Sequence, residues 1–508
     1  MLRRLERPDF HIDEKDAAVR IADAEFPVPF AHRLEFNAPV HGTWNIVHIG
    51  LMVPECHQIY VCADNCMRGV VLTAAEMGAG DRFSSVLIEE NDLYDQNLET
   101  ITIEGVSDVI RRLPYRPRAV TVFLVCLHHF VGTDAAFVFK TLEGRFPDID
   151  FMRCWMDPVM QKTGLTPEQK LKESMFRPVR PLPVDPGLVC VLGDNQALDP
   201  DSDIAQTVRE AGGRILQLND WKKHGERIGI SFLRKAVTDK EAQEAYSFMV
   251  PCENYDDYLR IGSAGLFITR SPLGVHGVYQ LAKRLGRPFL YLPPVCGEDQ
   301  IREELSKLRS ALRDNLQQTA GAAGAVRTAG TAGTDAGEPD AAETDHPAGS
   351  IRDESSASKA LQHALGLIGD TEITIDYILN PRVLSLARRL LEAGFRVTRV
   401  YLDAILPEEE EDFLWLQKNC PDLILNATIH PKMRVLHNAE NEGKMLALGP
   451  KAAWFGGTAH FVNLVDYGGI WGDSGIEKLA ALMEDAWLHE KDTRSIVPRK
   501  GQGCACVL

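Results

Sequence analysis

The chain lacks the short motifs that mark the common nucleotide-using and hydrolytic enzymes. It has no GxxxxGK[ST] phosphate loop, no GxGxxG after a strand pattern, no HExxH pair and no GxSxG elbow. The glycine turns in GSAGLF and LGDN are too brief to argue for a dinucleotide site. ATP hydrolysis is therefore not expected of this chain. Also missing is an apolar run long enough to cross a bilayer, and the start MLRRLERPDFHIDE has no hydrophobic signal region. Positive charge is in deficit, with 55 Lys and Arg against 72 Asp and Glu and a formal net charge of −17. That balance disfavours nucleic acid and anionic membranes as partners. A cytoplasmic location is the simplest expectation, and there thiols stay reduced. The terminal GCACVL resembles a prenylation box, but alanine stands fourth from the end where cysteine is required.

What is present is an ordinary globular composition, 45% apolar and 25% charged, in a chain of 508 residues. That length exceeds one hydrophobic core and argues for three domains. Strand patterns alternate with helix patterns throughout, as in TWNIVHIGLMV, RPRAVTVFLVC, GLVCVLGDN, AGLFITR and TEITIDYI. Such alternation predicts an α/β protein with three Rossmann-like domains and mostly parallel sheets. Residues 1–40 read as an arm that packs on a neighbouring subunit. Residues 41–180 and 186–316 read as two α/β domains, divided by the proline-rich RPVRPLPVDPG. Residues 317–358 collapse to Ala, Gly, Thr, Asp and Ser and read as a disordered insert. A third domain spans 359–490, with KAAWFGG among its strands, and a tail spans 491–508.

Four of the eleven cysteines fall in two places, Cys56, Cys62 and Cys66 in VPECHQIYVCADNCMRGVV and Cys126 in VFLVCLHHF. Cys126 stands at the end of an apolar strand pattern, where α/β proteins bind ligands. Thiolates are soft ligands that select zinc, copper(I) or iron–sulfur clusters, and the spacing alone leaves these open. Loops of the third domain hold His430, Lys432, Arg434, His437, Lys451 and His460, which would form an electropositive pocket if gathered at strand C-termini.

CADNCMRGVV, the remote Cys126 and DYGGIWGDSGIEKLAALM together resemble the nitrogenase component 1 superfamily, over most of the chain. In the resemblance Cys62 falls on the family's first cluster cysteine and Cys126 on its third. The middle cysteine, in a glycine-rich GPxGC segment, has no counterpart in LTAAEMGAGDRFSSV. Cys66 is the nearest substitute, with Cys56 as fourth or alternate ligand. The resemblance implies an iron–sulfur cluster, [4Fe–4S] or P-cluster-like, near a subunit interface. It also implies a homologous component 1-like subunit in a homo- or heterodimer, possibly α2β2, and a separate nitrogenase-reductase-like ATPase as electron donor.

The implied function is a nitrogenase-like oxidoreductase subunit. Its alternatives are a non-catalytic scaffold for metallocofactor assembly and a partner subunit. Two departures bear on the substrate. LFITRSPLG matches the family's YRS stretch through Arg270 and Ser271, which puts Ile268 where that family anchors its catalytic cofactor by cysteine. In HFVNLVDYGG, Asn463 takes the place of the anchoring histidine. Neither side chain replaces a thiolate or imidazole on iron, so no iron–molybdenum cofactor and no dinitrogen reduction are expected. His276 and Cys252 are candidate cofactor ligands with Arg270 beside them. His460, Asp466 and His430 are candidate catalytic residues, the last two as proton donors.

Overall fold

In the computed structural model, the described residues are 17–30, 46–76, 78–94, 97–156, 165–218, 246–325, 355–428, 430, 433, 444–464 and 470–491. They build three sheets that are parallel except for one strand. The odd strand is β1 (Ala18–Arg20), which pairs antiparallel with a strand of the third sheet. The arm was expected to reach a neighbouring subunit. Its described part is instead built into its own chain, with Ile21 in the third sheet's core.

The first sheet contains β2 (Cys56–Cys62), β3 (Phe83–Leu87), β4 (Ala119–Val125) and β5 (Asp150–Met156), in the order β3-β2-β4-β5. Two sequence readings fail here. The described part of TWNIVHIGLMV is not a strand, because Ile46–Leu51 forms a helix. The strand is CHQIYVC itself, buried at every position. Its two polar residues are satisfied inside. Gln58 Nε2 donates to the Val47 carbonyl at 2.8 Å, and His57 bridges Tyr115 Oη at 2.7 Å and Ser84 Oγ at 2.8 Å. A buried polar group bonded this way costs little, so a strand with polar members stays in the core.

The second sheet holds β6 (Asp185–Val191), β7 (Arg214–Gln217), β8 (Met249–Val250), β9 (Ala264–Thr269) and β10 (Phe289–Tyr291), in the order β10-β9-β6-β7-β8. The third holds β11 (Glu372–Asp376), β12 (Arg396–Tyr401), β13 (Ile424–Asn426), β14 (Leu446–Leu448) and β15 (Phe461–Val462), in the order β1-β13-β12-β11-β14-β15. KAAWFGG is not a strand. Pro450–Gly456 is a helix, opened by Pro at its start and flanked by Gly449 and Gly457 at positive φ. The helix Glu298–Ala325 runs past the boundary placed at residue 317.

Setting aside β1 at the third sheet's edge, in each sheet the chain starts in the middle, builds outward to one side, then crosses back to build the other. That reversal leaves a crevice at the C-terminal ends of two adjacent strands, where open α/β sheets bind ligands. The crevices lie between β2 and β4, between β6 and β9, and between β11 and β14. The first and second sheets share a continuous apolar core that includes Tyr60, Phe123, Tyr258 and Phe267. The second and third meet through their C-terminal edges. Leu273 packs on Leu406, Tyr291 Oη donates to Glu408 Oε1 at 2.9 Å, and Asn380 Nδ2 donates to Cys296 Sγ at 3.5 Å. No helix among the described residues is long and apolar enough to cross a membrane.

Candidate functional site

Two thiols flank the first crevice. Cys62 is the last residue of β2, and Cys126 follows the last residue of β4. The β2–β4 register pairs Tyr60 with Phe123. Carried two residues on, it sets Cys62 opposite Val125, one residue short of Cys126. Adjacent strands lie about 5 Å apart, so both cysteines stand at one edge. Cys66 sits in the first turn of the helix Asp64–Glu76 and is exposed. The Cys62 thiol is pushed up to about 12 by burial, and then by the charges of Cys66 and Asp64 beside it. A soft cation there would hold it as thiolate.

Cys56 does not belong to this group. It opens β2 while Cys62 closes it, and a strand of that length separates its ends by about 20 Å. The Cys56 sulfur lies 3.1 Å from Thr121 Oγ1, and burial pushes the thiol up to about 11. It is a core residue of the opposite edge.

Among the described residues no three His, Cys, Asp or Glu side chains converge closely enough to hold a single metal ion. Thiolates on separate irons of a cluster need not converge on one point. In donor chemistry, Cys62, Cys66 and Cys126 would suit an iron–sulfur group.

The second crevice is filled by an ion pair. Asp194, three residues past β6, accepts from Arg270 Nε at 2.9 Å and from the Arg270 backbone N–H at 3.1 Å. Both side chains are buried. Ser271 Oγ beside them is buried without a partner among the described residues. Arg270 thus stands where a cofactor-facing residue was expected, but tied to Asp194. Its proposed companions are elsewhere. Cys252 follows β8 at the far side of this sheet, its thiol pushed up to about 12 by burial and then by Asp257. His276 Nε2 lies 3.0 Å from Glu173 Oε2, joining the helix Val275–Leu285 to the helix Pro167–Met175. Ile268 is enclosed in the core on one face of the sheet. Cys252, His276 and Arg270 do not form one ligand set.

The third crevice carries a network that sequence reading did not assemble. Tyr377 follows β11, Asp403 lies two residues past β12, Thr428 two past β13 and Lys451 three past β14. Lys451 Nζ donates to Tyr377 Oη at 2.7 Å and to Thr428 Oγ1 at 3.0 Å. Thr428 in turn donates from its backbone N–H and its hydroxyl to Asp403, at 2.6 and 2.5 Å. Asp376, at the end of β11, accepts from the backbone of Ala452, Ile378 and Leu379. Burial raises its carboxyl to about 6. The one available signal was positional, since each residue falls one to three places beyond an apolar strand run.

Of the expected catalytic residues, His460 is misplaced. It precedes β15 and so lies at the sheet's N-terminal edge. Its Nδ1 is 3.0 Å from the Ala486 carbonyl and its ring packs on Trp487. Its described contacts therefore lie away from the crevice. His430 follows β13 on the crevice side. Asp466, Lys432, Arg434 and His437 lie outside the described residues.

Among solved structures, the chain is similar to nitrogenase Cp1 at pH 6.5, with a TM-score of 0.56 at 12% identity over 88% of this chain and 91% of that one. It is also similar to nitrogenase Cp1 at pH 5, with a TM-score of 0.51 at 12% identity over 93% and 94%. No family model matches the chain. No curated protein matches it either. At this identity the likeness is one of fold, and the fold is nitrogenase component 1-like.

Proposed function

We propose that the chain is a nitrogenase-like oxidoreductase subunit that accepts low-potential electrons at its first crevice and reduces a substrate other than dinitrogen. The observation that carries this reading is the pair Cys62 and Cys126 flanking that crevice in a component 1-like fold, with Cys66 in the first turn of the helix that follows β2. An iron–sulfur cluster bound there would supply single electrons at low potential. The chain's own part is to hold it. β2 and β4 fix two thiols rigidly from the sheet, and the helix after β2 brings a third. Because this chain has no phosphate loop, ATP-driven delivery falls to a separate iron–sulfur ATPase.

Purified anaerobically, the full chain is expected to carry iron and acid-labile sulfide. Cys62→Ser and Cys126→Ser should each abolish both. Iron-free wild-type protein, or zinc in its place, would overturn the reading. An iron-loaded chain that shows no turnover with any such reductase would favour the scaffold role.

The same edge supports a protein partner. Leu87, paired with Cys62 across β2 and β3, is 48% exposed, and Phe130, in the helix that starts at Cys126, is 67% exposed. Exposed apolar groups beside these cysteines suit an interface with a homologous subunit, which would complete the ligand set. Mass measurement in solution should find a dimer or larger, and a cluster-loaded monomer would refute this.

A further inference from the structure

We propose that the proline-rich connection between the first and second sheets, Arg177 to Val184, is a docking site for an acidic, partly apolar segment of another protein. This surface is independent of the oxidoreductase reading, since it needs neither cluster nor turnover.

Its first mark is positive charge without a counterpart, in a chain of net charge −17. Arg116, Arg118 and Arg145 elsewhere each meet a carboxylate, at 2.7, 2.9 and 2.6 Å. No carboxylate pairs with Arg180, Arg284 or Arg287 among the described residues, and Arg177 reaches only Glu143, at 3.9 Å. The connection itself gathers these side chains. Arg284 Nη1 and Nη2 donate to the Val179 and Phe176 carbonyls at 2.6 and 2.7 Å. Arg180 Nη1 donates to the Arg177 carbonyl at 2.7 Å, and Arg287 Nη2 to that of Leu182 at 3.3 Å. Burial, and then the charge of Arg180 beside it, lowers the Arg284 guanidinium from its ordinary value. An arginine bonded to a backbone carbonyl keeps its full charge and has N–H groups to spare. Its fork is also fixed in advance, so capturing a carboxylate costs little side-chain entropy.

The backbone is prepared as well. Pro178, Pro181 and Pro183 fix their own φ and bias Arg177, Arg180 and Leu182 before them to an extended form. No helix or strand forms over 179–184, and residues 180–184 are all exposed. The Leu182 N–H donates to the Gly262 carbonyl at 3.0 Å and pins the middle. Gly262 lies just before β9, so the connection crosses the N-terminal edge of the second sheet. The crevices open at the other edge. A protein seated here leaves them clear.

Leu182 and Val184 decide the class of partner. Both are exposed apolar side chains, at 39% and 42%, set among the arginines. A polyphosphate or nucleic acid gains nothing from covering them, and the chain's net charge repels a long polyanion. A short peptide segment that carries carboxylates and apolar groups together meets both kinds of surface.

The test is fluorescence anisotropy of a labelled synthetic peptide of Glu-Glu-Leu repeats, titrated with the full chain at low salt. Wild-type protein should bind it saturably, at one site per chain, and more weakly as salt is raised. A peptide of Gln-Gln-Leu repeats should not bind. Arg177→Gln with Arg180→Gln should weaken binding about tenfold. Leu182→Ser with Val184→Ser should weaken it about threefold. All four side chains are exposed, so both variants should keep the wild-type denaturation midpoint, and the comparison of the two peptides needs no variant. Absence of saturable binding, equal binding of the Gln peptide, or wild-type affinity in the arginine variant would each overturn the proposal. So would inorganic polyphosphate that displaces the peptide while Leu182→Ser with Val184→Ser leaves its affinity unchanged, because the surface would then read charge alone.

Discussion

The first and third crevices are the same architectural feature given opposite chemistry. Both lie where the strand order reverses, and both draw residues from the last position of a strand or the first few beyond it. The first presents soft thiols at an edge with exposed apolar neighbours. The third presents a buried oxygen and nitrogen network in which ammonium, phenol, hydroxyl and carboxylate are bonded in series. Backbone topology decides where a site can be, and the few residues after each strand decide what it does.

The largest expected effect separates the two ends of β2. Cys62→Ser is expected to remove iron, as argued above. Cys56→Ala, on the same strand, should keep iron at the wild-type level, because its sulfur faces Thr121 at the other edge. The cost should be a stability loss of about 1–2 kcal/mol from the small void and the unpaired Thr121 hydroxyl. Iron per chain in the two variants is the measurement. Iron lost from Cys56→Ala would break the distinction between the edges.

Much of the first crevice was legible in the sequence, and little of the third. Cys126 could be placed because six of the seven residues before it are apolar and all seven are buried in β4. β2 was hidden by His57 and Gln58, whose polarity masks a strand until their partners Tyr115, Ser84 and Val47 are brought near by the fold. That one misreading made Cys56 and Cys62 look like neighbours. The third crevice is spread over four strand ends, from Tyr377 to Lys451, and only the β13-β12-β11-β14 order brings them together. Lys451 was further obscured because its segment, rich in Trp, Phe and Gly, forms a helix after a proline. Spacing along the chain carries no record of such a set.

A smaller effect sharpens the third crevice. Gly449 has φ +117°, and a Cβ there would lie 2.3 Å from the Asp376 carboxyl. Gly449→Ala must therefore strain the backbone and push a buried carboxylate off the three amides it accepts from. We expect a loss of about 3 kcal/mol, seen as a lower denaturation midpoint, with iron retained. An unchanged midpoint would mean that the Asp376 anchor does not hold Lys451 in place.

The last contrast is in the response to pH, where the two regions should oppose each other. Beside the first sheet, burial lowers His57 to about 4, with Arg82 adding to the effect, and lowers His128 to about 4. Both are neutral in the folded chain, and His128 accepts from the Val125 N–H. The unfolded chain takes up protons near the ordinary value of 6.5, so stability falls as pH drops from 6.5 towards 4. The third domain behaves the other way. Burial raises Glu409, which accepts from the Leu384 and Ser385 backbones, from 4.5 to about 8, and Asp376 from 3.8 to about 6. Here the folded state keeps protons that the unfolded state has released, so stability falls as pH rises from 4.5 towards 8 for Glu409 and from 3.8 towards 6 for Asp376. At about 1.36 kcal/mol per pH unit, each group contributes about 3–5 kcal/mol at most across its window. Glu409→Gln keeps the shape without the titration and should flatten the alkaline loss, stabilising the chain near pH 8. His57→Gln, which can still donate and accept, should flatten the acid loss and leave the alkaline limb as it was. Denaturation midpoints against pH for the three proteins read both limbs. If either variant flattened both limbs, or neither, the opposition between the two regions would be false.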